Sequence, residues 1–146
     1  MSGAPASVLF VCSENALRSP MAEGMVKAYF GDRVYVDSVG VRDGELDPMA
    51  VVVMQELDLD ISGHRPKPME DLIDTSFDVI VALSEEAFEA TTDKLRNEAV
   101  EITFWKIGDP SVIGGNREVR LAAYREVRDK LKSLIEDLFG GCDGAP

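Results

Sequence analysis

The feature that most constrains the fold is a cysteine-containing loop between an apolar run and a helix-like run. Residues 8–11 (VLFV) are all apolar and indicate a buried strand. Residues 20–30 follow a helical pattern that opens with proline, which suits the first helical turn. Between them, residues 12–19 (CSENALRS) begin with Cys12 and end with Arg18 and Ser19. The sequence therefore predicts a strand, an anion-binding loop and a helix in direct succession.

The rest of the chain alternates between strand-like and helix-like segments. We predict strands over residues 7–11, 33–38, 77–83 and 101–105. We predict helices over residues 20–30, 47–57, 70–74 and 116–138, and a further helix after residue 84. Asp47 and Ser84 are expected to cap the helices that follow them. Strands separated by helices favour right-handed crossovers. The order therefore predicts an α/β fold with a parallel sheet and helices on both faces.

The composition indicates how many domains the chain has, and its net charge excludes some classes of partner. A chain of 146 residues with 45% hydrophobic and 29% charged residues suits one domain, spanning residues 1–146. The net charge of −12 argues against nucleic acid or an anionic membrane as a partner. The N-terminus lacks the basic region of a secretory signal, and no apolar run is long enough to span a bilayer. We expect a cytoplasmic protein.

Cysteine and histidine are scarce. The chain has two cysteines, Cys12 and Cys142, and one histidine, His64, which are too few for a typical structural zinc site. A disulfide between the two cysteines is disfavoured in a reducing compartment. His64 lies in a proline-rich loop, where we expect a hydrogen-bonding anchor rather than a catalyst.

Cys12, Arg18 and Asp109 indicate phosphoryl chemistry. Cys12, Ser84 and Asp109 each follow a predicted strand, and the carboxyl ends of parallel strands share one crevice. Loop N–H groups and a helix N-terminus favour an anion there, and we expect Cys12 to react as a thiolate nucleophile. Arg18 offers a planar fork for two oxyanion oxygens. Asp109 can protonate a leaving oxygen and later accept a proton from water.

The remaining loop residues are expected to shape the anion site. Asn15 lies where the loop must curl, and asparagine tolerates left-handed backbone angles. Ser19 can donate to the Cys12 sulfur or cap the following helix. Each residue alone has a structural explanation, since a cysteine after a strand is usually a small buried apolar residue, but the joint pattern indicates function. The predicted substrate-binding residues are Ser13, Glu14, Asn15, Ala16, Leu17 and Ser19.

These residues resemble a known family. The opening looks like that of the low-molecular-weight protein tyrosine phosphatases and of the related thioredoxin-coupled arsenate reductases. The resemblance covers nearly the whole chain, through residues 8–12, 15, 18–23, 37–40, 60–65, 77–80, 105, 109–110 and 124–129. It implies a flavodoxin-like fold with a four-stranded parallel sheet and a cysteinyl-phosphate intermediate. It also implies Cys12 as nucleophile, Arg18 and the loop amides as oxyanion binders, Asp109 as general acid, and no metal or organic cofactor.

The chain departs from both branches of the family. Where the phosphatases usually carry glycine and a second cysteine in the loop, this chain has Glu14 and Leu17. Where they carry tyrosines after Asp-Pro, it has Ser111 and Val112. The arsenate reductases need two relay cysteines after the third strand; Ser84 occupies the first place, and Thr91 or Thr92 lies near the second. Arsenate reduction by this chain would therefore need an external thiol.

Three functions follow from the pattern. The first is hydrolysis of phosphomonoesters, in a small molecule or in a phosphoprotein, including protein phosphotyrosine. The second is arsenate reduction with an external thiol. The third is non-catalytic anion binding. The sequence leaves the oligomeric state open.

Overall fold

The sheet is parallel and has four strands. The computed structural model describes residues 4–72 and 75–140, with β1 at Ser7–Cys12, β2 at Tyr35–Gly40, β3 at Val79–Ala82 and β4 at Glu101–Phe104. The strand order is β2-β1-β3-β4, so β1 pairs with both β2 and β3. The predicted α/β fold with a four-stranded parallel sheet is confirmed.

Helices cover both faces of this sheet. They are α1 at Arg18–Phe30, α2 at Pro48–Gln55, α3 at Glu85–Lys94 and α4 at Arg117–Ile135, and α4 continues into a π-helical turn, Glu136–Gly140. Side chains of α1, α2 and α4 pack with Val8 and Phe10 in one core, while α3 packs with Leu9 and Val11 in the other. Successive side chains of β1 point to opposite faces of the sheet. Because both faces are buried, β1 is apolar without interruption over residues 8–11. No helix in the described ranges is long and apolar enough to cross a membrane.

Two predicted helix caps are present and one is wrong. Asp47 accepts from the Met49 N–H to begin α2, and the Ser84 hydroxyl accepts from the Ala87 N–H to begin α3. Ser19, however, does not cap α1, which already begins at Arg18. The Ser19 hydroxyl instead contacts the Cys12 sulfur and accepts from the Asn15 amide, and these tertiary contacts outweigh a local cap.

Several strands and helices begin or end at residues other than those predicted. The strand predicted over residues 33–38 begins at Tyr35, because the N–H groups of Arg33 and Val34 both bond the Phe30 carbonyl and turn the chain. The strand predicted over residues 77–83 pairs only over Val79–Ala82. The helix predicted over residues 70–74 is a 3-10 turn, Met69–Asp71, and residue 74 lies outside the described residues. Cys142 also lies outside the described residues, so the expectation that it forms no disulfide with Cys12 stays a prediction.

Glu56 joins the end of α2 to the middle of α4. Its carboxylate accepts from Arg125 Nη2 and from Arg128 Nη1, each at 2.8 Å. The hydrogen bond from Arg125, assisted by Arg128, lowers the pKa of Glu56 to about 2 against the opposing effect of burial. The two arginines therefore stabilise the ionised carboxylate, and through it the contact between α2 and α4.

We expect Glu56→Gln to lower the free energy of unfolding at neutral pH, because it removes the ion pairs with both arginines. The loss should be only roughly 1 kcal/mol, since water screens these partly exposed charges. The folded-state pKa lies below the ordinary 4.5, so the stabilisation is complete above pH 4.5 and is lost as the pH falls to about 2. Urea unfolding of both proteins over this range measures the effect. Glu118→Gln, at a more exposed contact with Arg125, is the control and should cost less. A pH-independent difference would contradict the assignment.

Candidate active site

A cleft opens at the carboxyl end of β1. Its volume is about 520 Å³. It is bounded by the loop over residues 12–18, by residues 42–48, by the segment after β4, and by the first turns of α4. This is the edge of the sheet where parallel α/β folds bind ligands.

Most of the predicted site residues meet in this cleft. Seven of the nine line it, namely Cys12, Ser13, Glu14, Ala16, Leu17, Arg18 and Asp109. The other two, Asn15 and Ser19, are fully buried and do not line it. Their side chains lie behind the loop and bond to each other, Asn15 Nδ2 donating to Ser19 Oγ.

The loop backbone turns its carbonyl groups away from the cleft. Four carbonyls accept backbone bonds of 2.9–3.0 Å from the segment after β2: Cys12 from Val41, Ser13 from Arg42, Glu14 from Gly44, and Ala16 from Asp47. Because the C=O and N–H of a trans peptide point in opposite directions, the N–H groups that follow these carbonyls face the other way. One of them, the Asn15 N–H, reaches Cys12 Sγ at 3.2 Å. Successive N–H groups that point to the same side of a loop can form an anion-binding nest.

Gly40 permits this close approach. A Cβ at this position would lie 2.4 Å from the Arg42 carbonyl oxygen and 2.6 Å from the Asn15 nitrogen. No side chain fits between these backbone atoms. The segment after β2 therefore reaches the loop only because residue 40 is glycine.

Cys12 lies at the base of the cleft. The residue is only 2% exposed, yet it contributes to the cleft wall. Its Sγ lies 2.8 Å from Ser19 Oγ and accepts from the Asn15 N–H. The sulfur therefore contacts two polar groups on its buried side, and Cys12 borders the cleft.

Asn15 organises the buried side of the loop. Its φ of 56° is the left-handed conformation expected for this position. Its Nδ2 donates to Ser19 Oγ at 2.8 Å and to Ser38 Oγ at 2.9 Å. Its Oδ1 accepts from the Lys67 N–H at 2.9 Å and from His64 Nε2 at 3.0 Å. The side chain thus satisfies four polar groups and holds the loop in one conformation.

His64 acts as an anchor, as expected. Since Asn15 Oδ1 can only accept, Nε2 carries the proton, while Nδ1 lies 3.7 Å from Glu23 Oε1. Burial lowers the pKa of His64, although the Glu23 carboxylate opposes this shift. Glu23 in turn accepts from Ser38 Oγ at 2.5 Å and pairs with Lys27 at 2.7 Å. A neutral His64 therefore completes the network behind the loop.

We expect Asn15→Ala to lower the free energy of unfolding by about 3 kcal/mol. The substitution leaves buried polar partners unpaired and places alanine at positive φ. Asn15→Gly removes the same bonds without the backbone strain and should recover about 1 kcal/mol of that loss. Urea unfolding of the three proteins measures both effects. A loss below about 0.5 kcal/mol for Asn15→Ala would contradict the proposed role of the network.

Arg18 borders the cleft from the first turn of α1. Its Nη1 donates to the Ile107 carbonyl at 2.8 Å, which ties the guanidinium to the segment after β4. Within residues 4–72 and 75–140 it makes no ion pair with a carboxylate. The guanidinium is therefore held in place by one bond and keeps donors for a ligand.

Asp109 enters the cleft from the segment after β4. Its Oδ1 accepts from the Ser111 N–H at 2.9 Å and from Ser111 Oγ at 2.6 Å, and it begins the 3-10 turn Pro110–Val112. These two bonds orient the carboxyl group through one oxygen. The structure thus brings Cys12 and Arg18, from the two ends of one loop, and Asp109, from a distant segment, to one cleft.

Comparison with known proteins identifies the family. Residues 7–143 match the family described as low molecular weight phosphotyrosine protein phosphatase. The chain belongs to this family. The resemblance found in the sequence is confirmed, and it covers most of this phosphatase-family chain.

The similar proteins include both arsenate reductases and phosphatases. A glutaredoxin arsenate reductase from Synechocystis sp. is 32% identical over 90% of this chain and 95% of its own length. A solved arsenate reductase in a phosphate-binding state is 30% identical, with a TM-score of 0.76 over 90% of this chain and 95% of that one. A low molecular weight protein tyrosine phosphatase from T. tengcongensis is 29% identical, with a TM-score of 0.74 over 90% of this chain and 96% of that one.

The two positions expected for relay cysteines carry hydroxyl groups in this family member. Ser84 Oγ caps α3 and lies 3.1 Å from the Oγ of Ser13, which lines the cleft, whereas Ser84 itself does not line it. Thr91 is 1% exposed, and its Oγ1 has no hydrogen-bond partner among the described residues. The structure thus brings Ser84 near the loop, as the sequence predicted, but as a structural hydroxyl.

Sequence reasoning missed several residues of this family member's cleft. Arg42, Arg120 and Tyr124 all line it. The Tyr124 hydroxyl donates to Asp47 Oδ2 at 2.6 Å, and burial together with this bond raises the pKa of Tyr124. The four-residue spacing of Arg120 and Tyr124 puts them on one face of α4, which is a signal that the sequence did contain. Arg42 gave no local signal, because its position depends on how the segment after β2 folds back.

Proposed function

We propose that this phosphatase-family protein hydrolyses phosphomonoesters through a cysteinyl-phosphate intermediate. The observation that carries the proposal is the single cleft bounded by the Cys12 sulfur, the Arg18 guanidinium and the Asp109 carboxyl group. Nucleophile, oxyanion binder and general acid are the three groups that this reaction needs. The loop N–H groups supply further donors for the oxyanion.

In the first step the Cys12 thiolate attacks phosphorus in line with the leaving oxygen. The S–P bond forms as the P–O bond breaks, and Asp109 gives its proton to the leaving oxygen. Arg18 and the loop N–H groups bind the equatorial oxygens, where negative charge is spread in the transition state. The products of this step are the alcohol and the cysteinyl phosphate.

In the second step water attacks phosphorus. The Asp109 carboxylate accepts a proton from that water, the S–P bond breaks, and phosphate leaves with the Cys12 thiolate restored. Ser19 Oγ, 2.8 Å from Sγ, can donate a hydrogen bond to the departing thiolate. The same residues thus serve both steps.

A second function is supported by the relatives. The glutaredoxin arsenate reductase that is 32% identical suggests arsenate as a substrate for the same loop. Cys12 would form an S–As bond with loss of water, and an external thiolate would attack the Cys12 sulfur. The S–As electron pair would then reduce As(V) to As(III), releasing arsenite and leaving a mixed disulfide, which a second thiol would reduce. Hydroxyl groups at Ser84 and Thr91 support an external thiol as the reductant.

Two assays on the purified protein separate the candidate functions. The first measures phosphate release from p-nitrophenyl phosphate. The second measures arsenite formation with glutathione, mycothiol or thioredoxin supplied in turn. Phosphate release above the background of a Cys12→Ser variant supports the proposal, whereas thiol-dependent arsenite formation alone supports the reductase. If neither activity exceeds that background while phosphate still raises the melting temperature, the protein is an anion-binding module.

A further inference from the structure

An acidic residue stands inside the anion-binding loop. Glu14 lines the cleft, and its carboxylate would repel the oxyanion that the neighbouring N–H groups and Arg18 attract. The protein as a whole carries a net charge of −12, so the rest of the molecule does not offset this repulsion. A cation close to Glu14 would therefore favour binding of a phosphoryl or arsenyl group in the cleft.

Arg42 is close enough to provide this compensation. Its Nε lies 3.6 Å from Glu14 Oε2, and its Nη1 lies 2.6 Å from Glu86 Oε2 on α3. Arg42 also lines the cleft. One guanidinium thus bridges the loop, the segment after β2 and the first turn of α3.

The backbone holds Glu14 on the side of Arg42. The Glu14 carbonyl accepts from the Gly44 N–H at 3.0 Å. A Cβ on Gly44 would lie 2.8 Å from Glu14 Oε1, so the Glu14 side chain occupies the space left open by this glycine. Glu14 therefore lies against the segment that carries Arg42.

Glu86 holds the other side of the Arg42 guanidinium. The hydrogen bond from Arg42, and after it one from the Ser13 hydroxyl, lowers the pKa of Glu86. Glu86 is thus ionised at neutral pH and remains available as the partner of Arg42. The acidic first turn of α3 supplies this partner.

The exposure of this trio argues that its role is electrostatic rather than structural. The side chains of Arg42, Glu14 and Glu86 are 53%, 52% and 48% exposed. Ion pairs this exposed contribute little to folding stability. Glu14 and Arg42 line the cleft, where their charges act on an incoming anion over a short distance.

We propose that Arg42 is a positioning residue that holds the Glu14 carboxylate and offsets part of its repulsion, so that this loop can bind an oxyanion, with Glu86 holding Arg42 in place. The inference rests on the proposed use of the cleft for an oxyanion and applies equally to phosphate and arsenate. It predicts that Arg42 matters for binding only as long as Glu14 carries its charge. Arg42 is expected to affect the affinity for the anion, whereas Cys12 and Asp109 carry out the steps in which bonds break.

The test measures the affinity for inorganic phosphate by calorimetry. We expect Arg42→Gln to weaken phosphate binding roughly ten-fold at low salt, because it exposes the anion to Glu14. Adding Glu14→Gln should bring the affinity back to within about three-fold of the wild type, since the repelling charge is gone. The defect of Arg42→Gln should also shrink in high salt, which screens exposed charges. The matched control is Arg96→Gln, which removes one positive charge at the far end of α3 and should leave the affinity unchanged.

The outcomes separate this inference from the proposed function. If Arg42→Gln weakens phosphate binding by the same factor in the wild type and in the Glu14→Gln variant, the inference is overturned. Arg42 would then act on the anion directly or through the fold. Wild-type affinity in Arg42→Gln, or a wild type that binds no phosphate, would overturn it as well. A wild type that binds phosphate but does not hydrolyse p-nitrophenyl phosphate rejects the proposed function alone. In hydrolysis assays, KM should rise in Arg42→Gln while kcat changes less than about two-fold.

Discussion

Replacing Cys12 with serine is expected to lower turnover by at least about 10⁴-fold while oxyanion binding persists. The serine hydroxyl is not ionised at neutral pH and cannot replace the thiolate as nucleophile. The loop should keep its conformation, because the Asn15 N–H and Ser19 Oγ can bond an oxygen at the same position. Initial rates of phosphate release measure the first effect, and calorimetry with inorganic phosphate measures the second.

Cys142→Ser is the matched control. It removes the other thiol of the chain, which lies outside the described residues, and should retain wild-type turnover. Turnover by Cys12→Ser within ten-fold of the wild type would remove Cys12 from the mechanism. If instead Cys142→Ser abolished arsenite formation, the reductant would be internal, against the external thiol inferred from Ser84 and Thr91.

Replacing Asp109 with asparagine is expected to slow hydrolysis of substrates with poor leaving groups by about 10²-fold or more. An amide cannot donate the proton that an alkoxide or phenolate leaving group requires. The asparagine Oδ1 can keep both bonds from Ser111, so the turn after it should remain folded. Comparing phenyl phosphate with p-nitrophenyl phosphate measures the effect, which should be smaller for the second because p-nitrophenolate leaves more easily.

Ser111→Ala is the control for Asp109→Asn. It keeps the carboxyl group and the backbone N–H bond to Oδ1 but loses the bond from the Ser111 hydroxyl. Its effect should be small and should not depend on the leaving group. Equal rate losses for both phosphate esters in Asp109→Asn would indicate that Asp109 positions the substrate rather than protonating the leaving oxygen.

The sequence predicted structural features correctly where they depend on residues close together in the chain. The caps at Asp47 and Ser84 depend on a side chain and an N–H group two or three residues away, and both are present. The left-handed Asn15 follows from the same kind of argument. The strand after residue 77 was predicted too long, because its pairing also depends on β4, which offers partners only to Val79–Ala82.

Ser19 shows why a correct local preference can fail. Its position before proline favours a helix cap, yet its hydroxyl lies between the Cys12 sulfur and the Asn15 amide. Both contacts require the loop to close on itself. A buried hydroxyl is stabilised by satisfying such partners more than by adding one cap to a solvated helix end.

The order of strands and helices, the cysteine loop and its family were determined by the sequence alone, because each depends on residues adjacent in the chain. The tertiary structure decided which residues surround the loop. Arg42 and Tyr124 reach the cleft from the segment after β2 and from α4, and Glu86 on α3 contacts Arg42; only the packing of these parts on the sheet brings them together. The charge around an oxyanion depends on distances between such segments, so the compensation of Glu14 was invisible in the sequence.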